Sequence, residues 1–99
     1  MKKPVRILRK AQQDLIEIRD YVALDEPRAS IRLIDKLLEG IESLAEFPEI
    51  GVVPRDKNLK ARGYRALIER DYLIFYKILK RQVRVYRIIH GRRKYRHLL

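Results

Sequence analysis

The chain has 99 residues, 46% of them hydrophobic, and no cysteine. That length suits one domain, 1–99, with a modest core, and the lack of cysteine excludes a disulfide scaffold, a cysteine zinc site and a thiol nucleophile. The formal net charge is +11, no apolar run approaches the roughly 18 residues of a membrane span, and the basic N-terminus has no apolar signal region, so a basic cytoplasmic protein without membrane partners is expected.

The charge is segregated. Residues 1–10 carry five bases and no acids, residues 11–50 four bases and ten acids, and residues 51–99 fifteen bases and three acids. A molecule with one strongly positive part attracts polyanions, nucleic acid first and an acidic protein second.

In chain order, residues 4–8 alternate and predict a short strand. From Ala11 the period lengthens. Ala11, Leu15, Ile18 and Val22 predict an amphipathic helix, with Gln13, Asp14, Glu17 and Asp20 at its solvent positions. Asp25 or Glu26 is placed to cap a second helix, and Pro27 suits its first turn, where an N–H has no helical partner. The apolar stripe of that helix reads as Ile31, Ile34, Leu38, Ile41 and Ala45, flanked by Leu37 and Leu44, with Phe47-Pro48 ending it. Leu15, Ile18, Val22, Ile34, Leu38 and Ile41 are the expected core of the helix pair.

Residues 49–63 read as a long polar loop. Three runs rich in Tyr, Phe, Ile and Val follow, at 64–68, 72–79 and 83–89, joined by tight links, and predict an antiparallel meander. Strand, helix, helix and three strands make an α+β fold, with a small antiparallel-rich sheet packed against an antiparallel helix pair. Where the first strand joins the sheet is left open.

Two histidines in a basic tail with no nearby carboxylate do not make a metal site, and no phosphate loop or nucleophile elbow is present. The remaining chemistry is basic and aromatic. Arg65 lies in the first meander strand and His90 closes the last. Arg92, Arg93, Tyr95 and Arg96 follow in the tail, and Lys57, Lys60 and Arg62 lie on the long loop. Such a set suits RNA cleavage. Arginines hold charge on a phosphorane, His90 or Tyr95 moves protons, and an aromatic ring stacks on a base. Tyr72 and Tyr76 read as core, while Tyr64, Tyr86 and Tyr95 fit either packing or stacking. In a meander Arg65 lies nearer the start of the last strand than its end, so a meeting with the tail depends on how the tail folds back.

Taken together, Ala11, Asp14, Leu15, Ile18 and Tyr21; Asp25, Pro27 and Ala29; Ile41, Leu44, Pro48 and Gly51; Tyr64-Arg65; Phe75-Tyr76; and Ile88, His90, Gly91, Arg92 and Arg93 stand in an order and spacing that resembles the RelE/ParE superfamily of type II toxins over nearly the whole chain. The resemblance implies the β-α-α-β-β-β fold, a cognate antitoxin with an acidic, flexible tail, a toxin–antitoxin hetero-oligomer, a role in plasmid stabilisation or growth inhibition, and no cofactor. It leaves the target open. ParE-like members act on DNA gyrase, and the I-x-H-G-R-R ending resembles theirs. RelE-like members are ribosome-dependent mRNA endoribonucleases. For them the resemblance implies catalysis by Arg65, His90 and Tyr95, although Tyr95 stands five residues after His90 rather than beside it. Lys57, Lys60, Arg62, Arg92, Arg93 and Arg96 are then the residues for nucleic acid or target. Glu46 stands near the place of a glutamate used by some members, but reads more simply as an ordinary solvated acid. A degenerate member that only binds its antitoxin is a third reading.

Overall fold

The computed structural model describes residues 2–99. Strand β1 (Val5–Ile7) leads into helices α1 (Arg9–Ala23) and α2 (Pro27–Ser43), a short helix α3 (Lys57–Ala61), and strands β2 (Tyr64–Glu69), β3 (Tyr72–Ile78) and β4 (Val83–His90). The strands form one mixed sheet in the order β1-β4-β3-β2. β2, β3 and β4 are the expected antiparallel meander, and β1 joins it parallel to β4, with Val5 opposite Val83 and Ile7 opposite Val85.

α1 and α2 cover one face of the sheet. The core on that side is Ala11, Leu37, Ile41 and Leu44 from the helices against Ile74, Tyr76, Val83, Val85 and Ile88 from the strands. Of the six residues expected there, Ile41 is fully buried and Leu15, Ile18, Val22, Ile34 and Leu38 are half-buried. The α2 stripe is rotated from the expected one. Leu37 and Leu44 are its deepest residues, and Ile31 is 64% exposed. Pro27 stands at the start of α2 as expected, but Glu26 occupies the cap position without a side-chain bond. Gly40 faces the sheet, where a Cβ would stand 3.4 Å from Leu67 Cδ2, an ordinary contact, so the helix would accommodate a side chain as small as alanine there.

The loop expected over 49–63 is more ordered than its composition suggests. Asp56 caps α3, its carboxylate accepting from the Leu59 N–H at 3.0 Å. Val52 pairs with Ala66 through two hydrogen bonds of 2.8 Å. The sheet face away from α1 and α2 carries a second cluster, Leu59, Tyr64, Ala66, Phe75 and Ile89, and Tyr95, Leu98 and Leu99 of the tail fold back onto it.

Asp14 corrects the reading of α1 as having a fully solvated acidic side. β1 ends at Ile7, so among the described residues β4 beyond Val85 has no strand on that side, and α1 runs along the gap. Asp14 is buried there. Its Oδ2 accepts from the Ile88 N–H at 2.9 Å, and its two oxygens take the Arg87 guanidinium in a fork, Nε at 2.8 Å and Nη2 at 2.9 Å. One carboxylate thus caps an open strand edge and neutralises a cation beside the core. The hydrogen bonds that Arg87 donates to Asp14 are the chief reason its guanidinium is held above its ordinary range, with burial opposing.

Candidate functional site

The register separates the three side chains read as catalytic. Arg65 sits opposite Tyr76, which sits opposite Val85, whereas His90 sits opposite Tyr72. Along β3 those two rows are four residues apart, about 13 Å at the usual rise. Arg65 and Tyr76 share the helix-side face at one end of the sheet. Arg65 Nη2 donates to the main-chain oxygens of Glu49 (3.0 Å) and Gly51 (2.9 Å), and its Nε is enclosed without an acceptor. The guanidinium is occupied with the α2–β2 connection.

His90 lies at the other end of that face. It meets the Tyr72 ring edge-on at 5.3 Å, and its Nδ1 accepts from the Arg92 N–H at 3.1 Å. Together with Glu17, Ile18, Tyr21 and Arg93 it lines an open cleft of about 480 Å³ beside α1. Burial, with Asp71 and Tyr21 adding, pushes the Tyr72 phenol above its ordinary value.

Tyr95 is on the opposite face. Its ring tilts against Phe75 at 5.0 Å, where the tail crosses the sheet. The tail is tied down by Arg87 Nη1 donating to Leu98 O (3.1 Å), Arg62 Nη2 donating to Leu99 O (2.8 Å) and an Arg96–Asp56 ion pair of 2.6 Å. The fold back of the tail therefore carries Tyr95 away from both Arg65 and His90.

The basic residues divide in the same way. Lys57 and Lys60 on α3 and Arg62 at its end join Arg96 on the face away from the helix pair, because the Arg96–Asp56 pair and the Arg62–Leu99 bond dock the tail against α3. Arg92 and Arg93 are exposed in the turn after β4, and Arg93 reaches the His90 cleft. Glu46 is exposed beyond the end of α2.

Three residues outside the expected set strengthen the basic face. Tyr64 and Tyr86 meet edge to face at 5.4 Å, Lys77 Nζ stands 4.4 and 5.0 Å from their ring centres, and the Arg62 guanidinium is 5.2 Å from Tyr64. The cations cover the rings, so Tyr64 and Tyr86 act as a platform that fixes positive charge, not as open faces for stacking. Burial raises the Tyr64 phenol, with Arg62 opposing and Tyr86 adding. Arg62 and Lys77 thus stand as two fixed cations on the face that Lys57, Lys60 and Arg96 share. A signal for it was present in the alternation of β2 and β3, which puts Tyr64 and Lys77 opposite each other.

A sequence model described as the ParE toxin of the parDE type II toxin–antitoxin system matches residues 5–95. Y4kP of Sinorhizobium fredii, a protein carrying the description of a toxin, is 28% identical over 98 residues, which are 99% of this chain and 98% of that one. Among solved structures, the chromosomal ParDE system of P. aeruginosa superimposes with a TM-score of 0.76 at 17% identity, over 90% of this chain and 96% of that chain. The RelBE2 toxin–antitoxin complex of Mycobacterium tuberculosis gives 0.67 at 21% identity, over 91% and 99%. At those identities the structural likeness speaks for the fold.

Proposed function

We infer what this chain does from the family to which it belongs, the ParE toxins of parDE type II toxin–antitoxin systems. The proposal is a growth-inhibiting toxin that acts by binding a protein target, DNA gyrase, and is neutralised by a cognate antitoxin. The observation that carries the choice of a binding mode is the separation of Arg65, His90 and Tyr95. Arg65 is bonded to Glu49 and Gly51, His90 stands with Tyr72, and Tyr95 packs on Phe75 across the sheet. General acid–base chemistry needs its groups within hydrogen-bond reach of one reacting centre. Support for an antitoxin partner comes from the two similar structures, both described as toxin–antitoxin systems, and from a basic face suited to an acidic, flexible tail.

The alternative, a ribosome-dependent endoribonuclease, draws support from one feature. Lys57, Lys60, Arg62 and Arg96 gather near Tyr95 on the face away from the helix pair. The deciding experiment runs a gyrase supercoiling assay beside primer extension on mRNA in a translation system. The binding reading expects loss of supercoiling and intact message. Cleavage bands that appear only with ribosomes, with supercoiling untouched, overturn it in favour of the nuclease.

A further inference from the structure

The connection from α2 to β2 displays a row of apolar side chains that the fold holds outward. Phe47, Ile50, Val52 and Val53 are each 45–57% exposed, and Ile68 on the adjoining edge strand is exposed as well. Val52 faces Ala66 across an isolated antiparallel bridge, and Ala66 stands two residues before Ile68 on the same strand. With Glu46 and Glu49, Phe47 and Ile50 line a shallow depression of about 430 Å³.

These side chains are not on a slack loop. Tyr76 Oη donates to Pro48 O at 2.6 Å and accepts from the Gly51 N–H at 2.9 Å. Arg65 holds the Glu49 and Gly51 oxygens, and Ala66 holds both main-chain groups of Val52. Gly51 is pressed so close that a Cβ would fall 2.6 Å from Tyr76 Oη. Two buried or half-buried polar side chains are committed to fixing a segment whose own apolar groups face water. Such a segment neither collapses onto the core nor gives way when a partner arrives, and preorganisation of this kind favours docking.

Charge selects the partner. Between Lys36 and Arg55 the chain holds Glu39, Glu42, Glu46 and Glu49 and no base, in a molecule of net charge +11. Glu46 and Glu49 border the apolar depression, which disfavours an acidic tail there. We propose that residues 46–53 and Ile68 form a second protein-docking surface, for a folded partner presenting an apolar ridge rimmed by Arg and Lys. Its acidic residues lie outside the basic cluster, and Ile68 stands four residues along β2 from Tyr64, so an acidic antitoxin on that cluster and this partner engage different residues. Arg65 is a positioning residue for this surface.

The direct test is an NMR titration of the labelled protein with a synthetic helical peptide carrying a Leu ridge flanked by Arg, and with its Glu-flanked twin. The expected result is saturable amide shifts in residues 46–53 and 66–68 with the Arg-flanked peptide, at least about ten-fold weaker in the Glu46→Lys/Glu49→Lys chain. No shift in those residues, or equal shifts with both peptides, overturns the proposal. A cellular arm rests on the growth-inhibitor reading. Phe47→Ser/Ile50→Ser is expected to lose growth arrest while melting and co-purifying with antitoxin as the parent does. Unchanged arrest, or loss of antitoxin binding with arrest kept, overturns the surface. Absence of arrest by the parent chain overturns the growth-inhibitor reading instead, and the titration alone then decides for or against the surface.

Discussion

Removing the Asp14 carboxylate is the most informative single perturbation of this fold. The Asp14 and Arg87 side chains are only 8% and 12% exposed, and three hydrogen bonds of 2.8–2.9 Å converge on the carboxylate. Asp14→Ala leaves a guanidinium largely out of water with Leu98 O as its remaining acceptor, and leaves the Ile88 N–H with none. Breaking one side of a buried ion pair costs about 3–5 kcal/mol, and an orphaned buried N–H accounts for about 1–3 of that. For a chain this size the urea midpoint should fall by about 2–5 M at an m-value of about 1–1.5 kcal/mol per M. Asp14→Asn keeps an acceptor but loses the charge, and should cost about 1.5–3 kcal/mol. Replacing both partners, Asp14→Leu with Arg87→Met, removes the uncompensated charge, so the double variant should stand closer to the parent than either single one. The assay is urea unfolding followed by circular dichroism. A loss below about 1 kcal/mol for Asp14→Ala, or strictly additive single variants, would refute the assignment of this pair as the electrostatic closure of the β4 edge.

Three further outcomes are expected. Leu37→Ala should cost about 2–5 kcal/mol by cavity formation, while Ile31→Ala, on the exposed side of α2, should change thermal stability by less than about 0.5 kcal/mol; equal losses would contradict the rotated stripe. Gly51→Ala sets a Cβ against Tyr76 Oη and Ala66 O, both already hydrogen-bonded, and should cost about 1–3 kcal/mol, a fall of at least about 4 °C in Tm; an unchanged Tm would show that the connection can shift freely. Burial holds the Tyr64 and Tyr72 phenols above 10.0, so the folded chain binds those protons more tightly than the open chain does. Their contribution to stability is therefore full below pH 10 and is lost as pH rises through the folded values, and Tyr64→Phe should lessen that loss. Phenolate absorbance recorded beside urea midpoints checks this, and stability that stays level through complete ionisation would count against it.

Much of this was legible in the chain. The meander announced itself in the dense β-branched and aromatic runs around Ile74 and Val85, whose alternation survives burial on both faces. Pro27 marked the start of α2 because its fixed φ suits only that end of a helix. What escaped depended on partners far away in sequence. Asp14 reads as a solvent position of α1, although it falls three residues after Ala11 and four before Ile18, on the apolar face. The cation, Arg87, is next to a bulge in β4, where the register steps from Phe75–Arg87 to Tyr76–Val85 and Tyr86 is the extra residue, so strand alternation alone could not place it. The five residues of α3 are too few to show a helical period. The three read as catalytic share residue type with a nuclease site, but residue type carries no information about which face of a sheet each will occupy, and the fold back of the tail sets Tyr95 on the far side.

The place of β4 in the sheet has a bearing on when this molecule comes to exist. β4 is made after the helix pair and the other three strands, yet it is the strand that joins β1 to β3 and supplies the partner of Asp14. A nascent chain ending at Ile78 has a helix pair and a two-stranded ribbon but no strand to connect them. Contacts spanning more than 70 residues, Asp14 to Arg87 and Lys3 to Leu79 among them, form only once the stretch from Leu79 to Arg87 has been made. At about 5–20 residues per second the polypeptide spends several seconds without a native sheet. Such long-range closure also slows folding relative to a helical protein of the same size. A stop or frameshift upstream of Val83 thus yields an unfolded chain, not a weakened toxin.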